Sequence, residues 1–396
     1  MDDAPKPTAI GKFIIFLFIL GCLAGAWWLF IRDNGNKGGS NGGSDPAPGP
    51  SGAETTIAIA VGSEKISWMK SAQTEFAKTG AGRKVRIDLL SLGSKQGAER
   101  IVDGATPIHA WAPASSSWTA QFLADWQVKH SGNPIRKQDN LALTPMVYVF
   151  WDERFRAFSA KFGAVSATSI GQALAERSGW AGIANKPEWG LFKFGHTDPN
   201  QSNSGLMALV LMTNEYYRTS KGITMAQILD PKFQEWLAGV ESGVTGMLAS
   251  TGDMMKSMVL KGPSAYDAVL VYEAVAIDFL KSAQGRWGDL RIVYPQQNTW
   301  NDNPFYTLDT PSTTAAQKQA ADAFLEFLMS DAAQKLALEH GFRPGNPKIP
   351  VLFPESPFTQ FQRYGLRNDI SSTVEAPSGE VVINLLQSWN RLRIGK

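Results

Sequence analysis

Between Thr55 and Trp126 the chain runs three times through the same order: a short apolar run, a turn of small residues, and a helical pattern. Thr55–Val61 ends in Gly62-Ser63 and is followed by Ile66–Lys78. Lys84–Leu90 ends in SLGSK, ahead of Gln96–Val102. Pro107–Ala112 gives way to PASSSW and then to Thr119–Trp126. Short β-branched runs bounded by Gly and Ser read as buried strands. Strands that each lead into a helix pair in parallel, so the repeat predicts an α/β fold. In such sheets ligands bind beyond the carboxyl ends of the strands. Here those ends carry Ser63, Gly93-Ser94 and Ser115–Ser117, with the acid Glu64 next to Ser63.

A second α/β pattern fills residues 152–290. Leu141–Trp151 leads into it, and the internal Pro145 fits a central strand badly, which predicts a connector between two bodies. The stretch GHTDPNQSNSGLMALVLMTNEYY (195–217) passes from turn residues through Ser202, Asn203 and Ser204 into an apolar helical run. Ser and Asn ahead of such a run are N-cap residues. An exposed helix start carries unpaired N–H groups and partial positive charge, which suits anionic or carbonyl oxygens. Ser250-Thr251 precedes another helix, Asp253–Lys261, in the same way. The strand Ala268–Val271 leads to Tyr272-Glu273, and Thr314–Glu339 is strongly helical before HGFRPGNP. An amphipathic helix is expected at Val381–Arg391.

Catalytic signatures are lacking. His109, His130, His196 and His340 show no metal-ligand spacing, and no H-E-x-x-H, C-x-x-C, G-x-S-x-G, P-loop or G-x-G-x-x-G occurs. No catalytic residue, metal or cofactor is therefore expected, and His196 beside Asp198 reads as a turn-stabilising residue. Glu64 and Glu273 either take a cation or hydroxyl groups, or are a solvated loop acid and a first-turn helix acid. A hydrolase or transferase using one of them stays open. The net charge of +2 gives no argument for nucleic acid. Neutral hydrogen-bonding groups spread over two bodies suit recognition of a small polar solute, with closure of one body on the other.

Ahead of these bodies, Ile10–Ile31 is apolar apart from Lys12 and long enough to span a bilayer, with Trp27 and Trp28 near its outer end. It outlasts a signal-peptide core and continues nine residues past Cys22, the single cysteine, which favours an uncleaved anchor over a lipid-modified one. Residues 32–54 are Gly-, Ser-, Asn- and Pro-rich, a flexible linker with a reach of roughly 25 Å. Residues 1–9 are expected on the cytoplasmic side.

Four segments resemble the bacterial extracellular solute-binding proteins of ABC transport systems, nearest the group containing molybdate-binding proteins: AVGSEK (60–65), SLGSKQGAERIVDG (91–104), GHTDPNQSNSGLMAL (195–209) and AADAFLEFLMSDAAQKLALEHGFRP (320–344). The resemblance covers roughly residues 55–345. It implies a two-lobed type II periplasmic-binding-protein fold with a hinge between lobes. Lobe I would take residues 55–145 and, with C-terminal helices, 291–396; lobe II would take 146–290. It also implies an extracytoplasmic body, an ABC permease or other membrane partner, and ligand contacts at Ser63, Ser94, Asn203, Ser204 and Tyr272. Ser250 and Thr251 are added from the cap argument. The solute is expected to be an oxyanion or, because Glu64, Glu273, Trp111 and Trp118 lie near the same ends, a larger polar organic compound. A ligand-sensing or adaptor module of a membrane complex is the alternative. Ser204→Asp is expected to abolish anion binding with the fold intact.

Overall fold

The computed structural model describes residues 54–394 apart from 284, 371 and 376. The expected anchor and nearly all of the linker lie outside the described residues, among which no helix is long and apolar enough to cross a membrane. Eleven strands among the described residues form two sheets.

The first sheet has the order β2 (Val85–Ser91), β1 (Thr55–Val61), β3 (Ala110–Ala112), β10 (Pro304–Leu308) and β4 (Ile135–Asn140). β1 pairs in parallel with β2 and β3, as the strand–helix repeat requires, and β10 joins antiparallel to both β3 and β4. Alternation along β1 puts Ile57, Ile59 and Val61 on one face, against Trp68 and Phe76 of the helix Ile66–Phe76 and Phe324 of the helix Ala315–Leu328. Ala60 lies in the other core, with Trp111, Phe122 and Trp126. Both faces of the sheet are thus covered, which is why its strands read as continuous apolar runs.

The second sheet is built around β5 (Ala142–Trp151), a strand of ten residues. The connector expected over Leu141–Trp151 is therefore a central strand. Pro145 is accommodated because the ladder to β7 (Ala268–Tyr272) begins only at Met146. Ala142 and Leu143 pair instead with β11 (Arg343–Pro344), and Thr144 and Pro145 with β9 (Trp300–Asn301). β8 (Leu290–Val293) pairs antiparallel with β5, and β6 (Phe194–Gly195) parallel with β7. The chain leaves the first sheet at Leu141 and returns between Asn301 and Pro304. These changes of sheet do not coincide with the expected borders at 145/146 and 290/291.

The helix Asn203–Tyr217 is buried on every side from Asn203 to Asn214, so it forms the centre of the second body rather than an amphipathic cover. The amphipathic helix expected near the C-terminus is Gly379–Ile394. Its Val381, Leu385 and Trp389 share a core with Phe233 and Leu237 of the helix Pro231–Gly243.

Candidate ligand-binding site

The segments after β2 and β3 meet the start of the Asn203–Tyr217 helix, through Gly93 against Gln201 and Trp118 on Asn203, and the turn after β1 meets the helix Thr251–Lys261. Gly93 fixes how closely the two bodies meet: a Cβ there would lie 2.2 Å from the Gln201 carbonyl oxygen. Ser63 lies in a tight turn against Gly252, whose Cβ would meet the Ser63 side chain at 3.7 Å. Ser94 begins the helix Ser94–Asp103, and its buried hydroxyl accepts from the Ala114 N–H at 3.1 Å.

Ser202 occupies the N-cap position of the long helix, but no side chain caps it. The Ser202 hydroxyl turns instead to Ser204 Oγ (3.1 Å). Ser204 is fully buried and also contacts Thr197 Oγ1 and Thr251 Oγ1, each at 2.6 Å. Asn203 binds both bodies: its Oδ1 accepts from Trp118 Nε1 (2.9 Å), while its Nδ2 donates to Tyr272 OH (2.9 Å) and Asn301 Oδ1 (2.8 Å). Burial, then the nearby Glu64 carboxylate, pushes the Tyr272 hydroxyl well above its ordinary pKa, so it stays protonated.

Glu64 does not stand alone. Its carboxylate pairs with the ammonium of Lys65 at 2.5 Å, and the Lys65 side chain is wholly buried. Lys65 Nζ also donates to the Pro113 carbonyl (2.9 Å) and to Asn303 Oδ1 (3.0 Å). Burial lowers the Lys65 pKa, against the opposing pull of Glu64. A Cβ at Gly62 would fall 2.0 Å from Glu64 Oε1, so a larger residue there would displace the carboxylate from this position. The pair brings no net charge to the cleft, so the acid does not by itself oppose an anion.

Two expected site residues are occupied elsewhere. Glu273 is fully buried and receives two hydrogen bonds from Arg343, each 2.8 Å, and a third from Tyr294 OH. It thereby fixes the Gly-Phe-Arg-Pro segment to the second sheet. Ser250 caps the helix Thr251–Lys261 through the Asp253 N–H (3.1 Å) and donates to the Asp253 carboxylate, on the exposed side. Thr251, by contrast, joins the hydroxyl cluster. His196 pairs with Glu241 at 2.9 Å inside the core and holds the Thr197 carbonyl at 2.8 Å, a structural role. Sequence reasoning missed Lys65, Asn301, Asn303 and Thr197. The only signal for the asparagines was their density in NTWNDN (298–303), inside a segment read as irregular.

The model of the bacterial extracellular solute-binding protein family matches residues 57–343. The chain belongs to that family. It is a solute-binding protein with an extracytoplasmic body, and its two-sheet α/β architecture is that of the type II periplasmic binding proteins. Among solved structures it is similar to the sulfate-binding protein SubI from Mycobacterium tuberculosis H37Rv, at 16% identity and TM-score 0.57, over 86% of this chain and 99% of that one. The apo ferric ion-binding protein A of Pasteurella haemolytica matches at 12% identity and TM-score 0.54, with coverage of 86% and 99%. Iron-bound HitA from Pseudomonas aeruginosa matches at 12% identity and TM-score 0.53, again with 86% and 99%. Such identities speak for the fold alone. No sequence relative was found among curated proteins.

Proposed function

We propose that the two sheet-bearing bodies are lobes that close on a small oxygen-rich solute, an oxyanion or a compact polar organic molecule, which is then handed to an ABC permease. Lobe I takes residues 54–140 and 304–342; lobe II takes 142–301 and the tail. Leu141 and residues 302–303 are the hinge. The observation that carries the reading is Asn203, which starts the central helix of one lobe and hydrogen-bonds across to Trp118 of the other. Around it, Ser63, Ser94, Ser202, Ser204, Thr251 and Tyr272 offer neutral donors, and the helix start lacks a side-chain cap. Hydroxyls, amides and a helix dipole hold an anion without a full counter-charge. The Asn203–Trp118 bond is the one of these contacts that crosses between the lobes, so their parting frees Asn203 Oδ1 and the Trp118 N–H for a solute.

No catalysis is assigned, because Glu64 and Glu273 are committed to Lys65 and Arg343. Residues 10–31 are read as the membrane anchor and 32–54 as its linker, with the N-terminus cytoplasmic. Thermal melting of the full chain in detergent against sulfate, molybdate, ferric citrate, sugars and amino acids tests the reading. A solute at 100 times its Kd adds about 2.7 kcal/mol of stability. A rise with an oxygen-rich solute that Asn203→Ala removes would support it. No rise with any solute would move the function to an adaptor with a protein ligand.

A further inference from the structure

A cavity of about 530 Å³ lies in the second body and is lined by none of the cleft residues named above. Its size falls within the roughly 300–1,000 Å³ of small-molecule sites. Tyr148 of β5 lines it; the residue is only 3% exposed, yet among the described residues its hydroxyl has no hydrogen-bond partner. The exposed Arg218 lines the same cavity, its side chain making neither an ion pair nor a hydrogen bond among the described residues, and the side-chain amides of Gln296 and Gln297 add further donors and acceptors.

The backbone gives an independent sign. Arg218 follows the Asn203–Tyr217 helix in a left-handed conformation (φ 50, ψ 42), a position that glycine usually fills. A non-glycine residue there is uncommon, and its exposed side chain lines the cavity. Glu215, one turn earlier on the same helix, also lines the cavity. It already accepts from the Ala167 N–H (2.8 Å), the Thr168 N–H (2.9 Å) and the Thr168 hydroxyl (3.0 Å). A carboxylate offers about four lone-pair sites, so one is left.

We propose that this cavity is a second binding site, separate from the interlobe cleft, for a small zwitterion of the amino-acid type. Arg218 takes the ligand carboxylate in a two-pronged contact, Tyr148 donates to one of its oxygens, and Glu215 accepts from the ammonium group. Burial, reinforced by Glu215, raises the Tyr148 pKa, so the donor proton is retained.

The test is calorimetry and thermal melting of the full chain with each of the twenty L-amino acids in turn. The variants are Arg218→Gly, which places glycine where the backbone favours it and so keeps the fold, Tyr148→Phe and Ser204→Ala. The expected result is one-to-one binding of at least one amino acid, weakened tenfold or more by Arg218→Gly and by Tyr148→Phe and unchanged by Ser204→Ala. Absence of binding by all twenty, or binding that survives Arg218→Gly, overturns the proposal. Binding lost in Ser204→Ala also overturns it, by placing the amino acid in the interlobe cleft. That cleft keeps its own test with oxyanions whichever way this one falls.

Discussion

Replacing Lys65 by Met keeps the apolar stem of the side chain and deletes an ammonium group that is wholly buried. Three contacts go at once: Glu64 Oε1 at 2.5 Å, the Pro113 carbonyl at 2.9 Å and Asn303 Oδ1 at 3.0 Å. The Glu64 side chain is only 5% exposed, so its charge would be left without a partner or adequate solvent. Removing one member of a buried ion pair costs about 3–5 kcal/mol, most of it from the stranded charge. Each orphaned acceptor adds up to about 1–3 kcal/mol before relaxation. These terms overlap, so the expected loss for Lys65→Met is about 4 kcal/mol. The assay is urea denaturation, read as a lower midpoint at unchanged slope. The double variant Lys65→Met with Glu64→Gln removes the stranded charge and is expected to recover about half of the loss. A single variant costing under about 1 kcal/mol, or a double variant no more stable than the single, would refute the view that the pair is held together by mutual charge compensation.

Other expectations follow from the same geometry. Gly93→Ala should weaken solute binding and enlarge the molecule in small-angle scattering with little loss of local structure. The backbone there is ordinary (φ −60), and only the approach of Gln201 forbids a Cβ; an unchanged affinity would show that the lobes need not close there. Ser204→Asp, first expected to leave the fold intact, would put a carboxylate into a fully buried hydroxyl cluster and should destabilise the chain by several kcal/mol, about 3 or more. Ser204→Ala is the cleaner probe and should reduce oxyanion affinity at a cost of about 1 kcal/mol, measured by calorimetry and melting. Asp322 is partly buried, which raises its pKa, but hydrogen bonds from Arg136 and Thr307 and the nearby charges of Arg136 and Lys137 outweigh that and hold it below the ordinary 3.8. A depressed carboxylate pKa stabilises the fold above the unfolded value and ceases to do so as pH falls through the folded value. The stability gap between wild type and Asp322→Asn should therefore be full at neutral pH and shrink below about pH 4; a gap independent of pH would contradict it.

The chemistry of individual strand ends was legible in the sequence because it is local. The order of β1, β2 and β3 with their helices, the serines at those ends, and the cap at Ser250 all depend on residues a few positions apart. Hydrophobic period and turn chemistry register such spacing directly. Pro145 shows where that locality fails: its cost in a strand depends on which neighbour needs the missing N–H. The ladder to β7 starts one residue later. Lys65 reads as a surface lysine beside an acid, and only Pro113 and Asn303, distant in sequence, make its burial tolerable. Glu273 read equally well as a ligand group until Arg343 was brought against it from seventy positions away. Sequence alone thus determined the α/β pattern, the family and the polar character of the cleft. Which charges face the cleft and which cancel inside the protein was decided by the tertiary structure, because the energy of a buried charge depends on partners that only the folded chain brings within hydrogen-bonding distance.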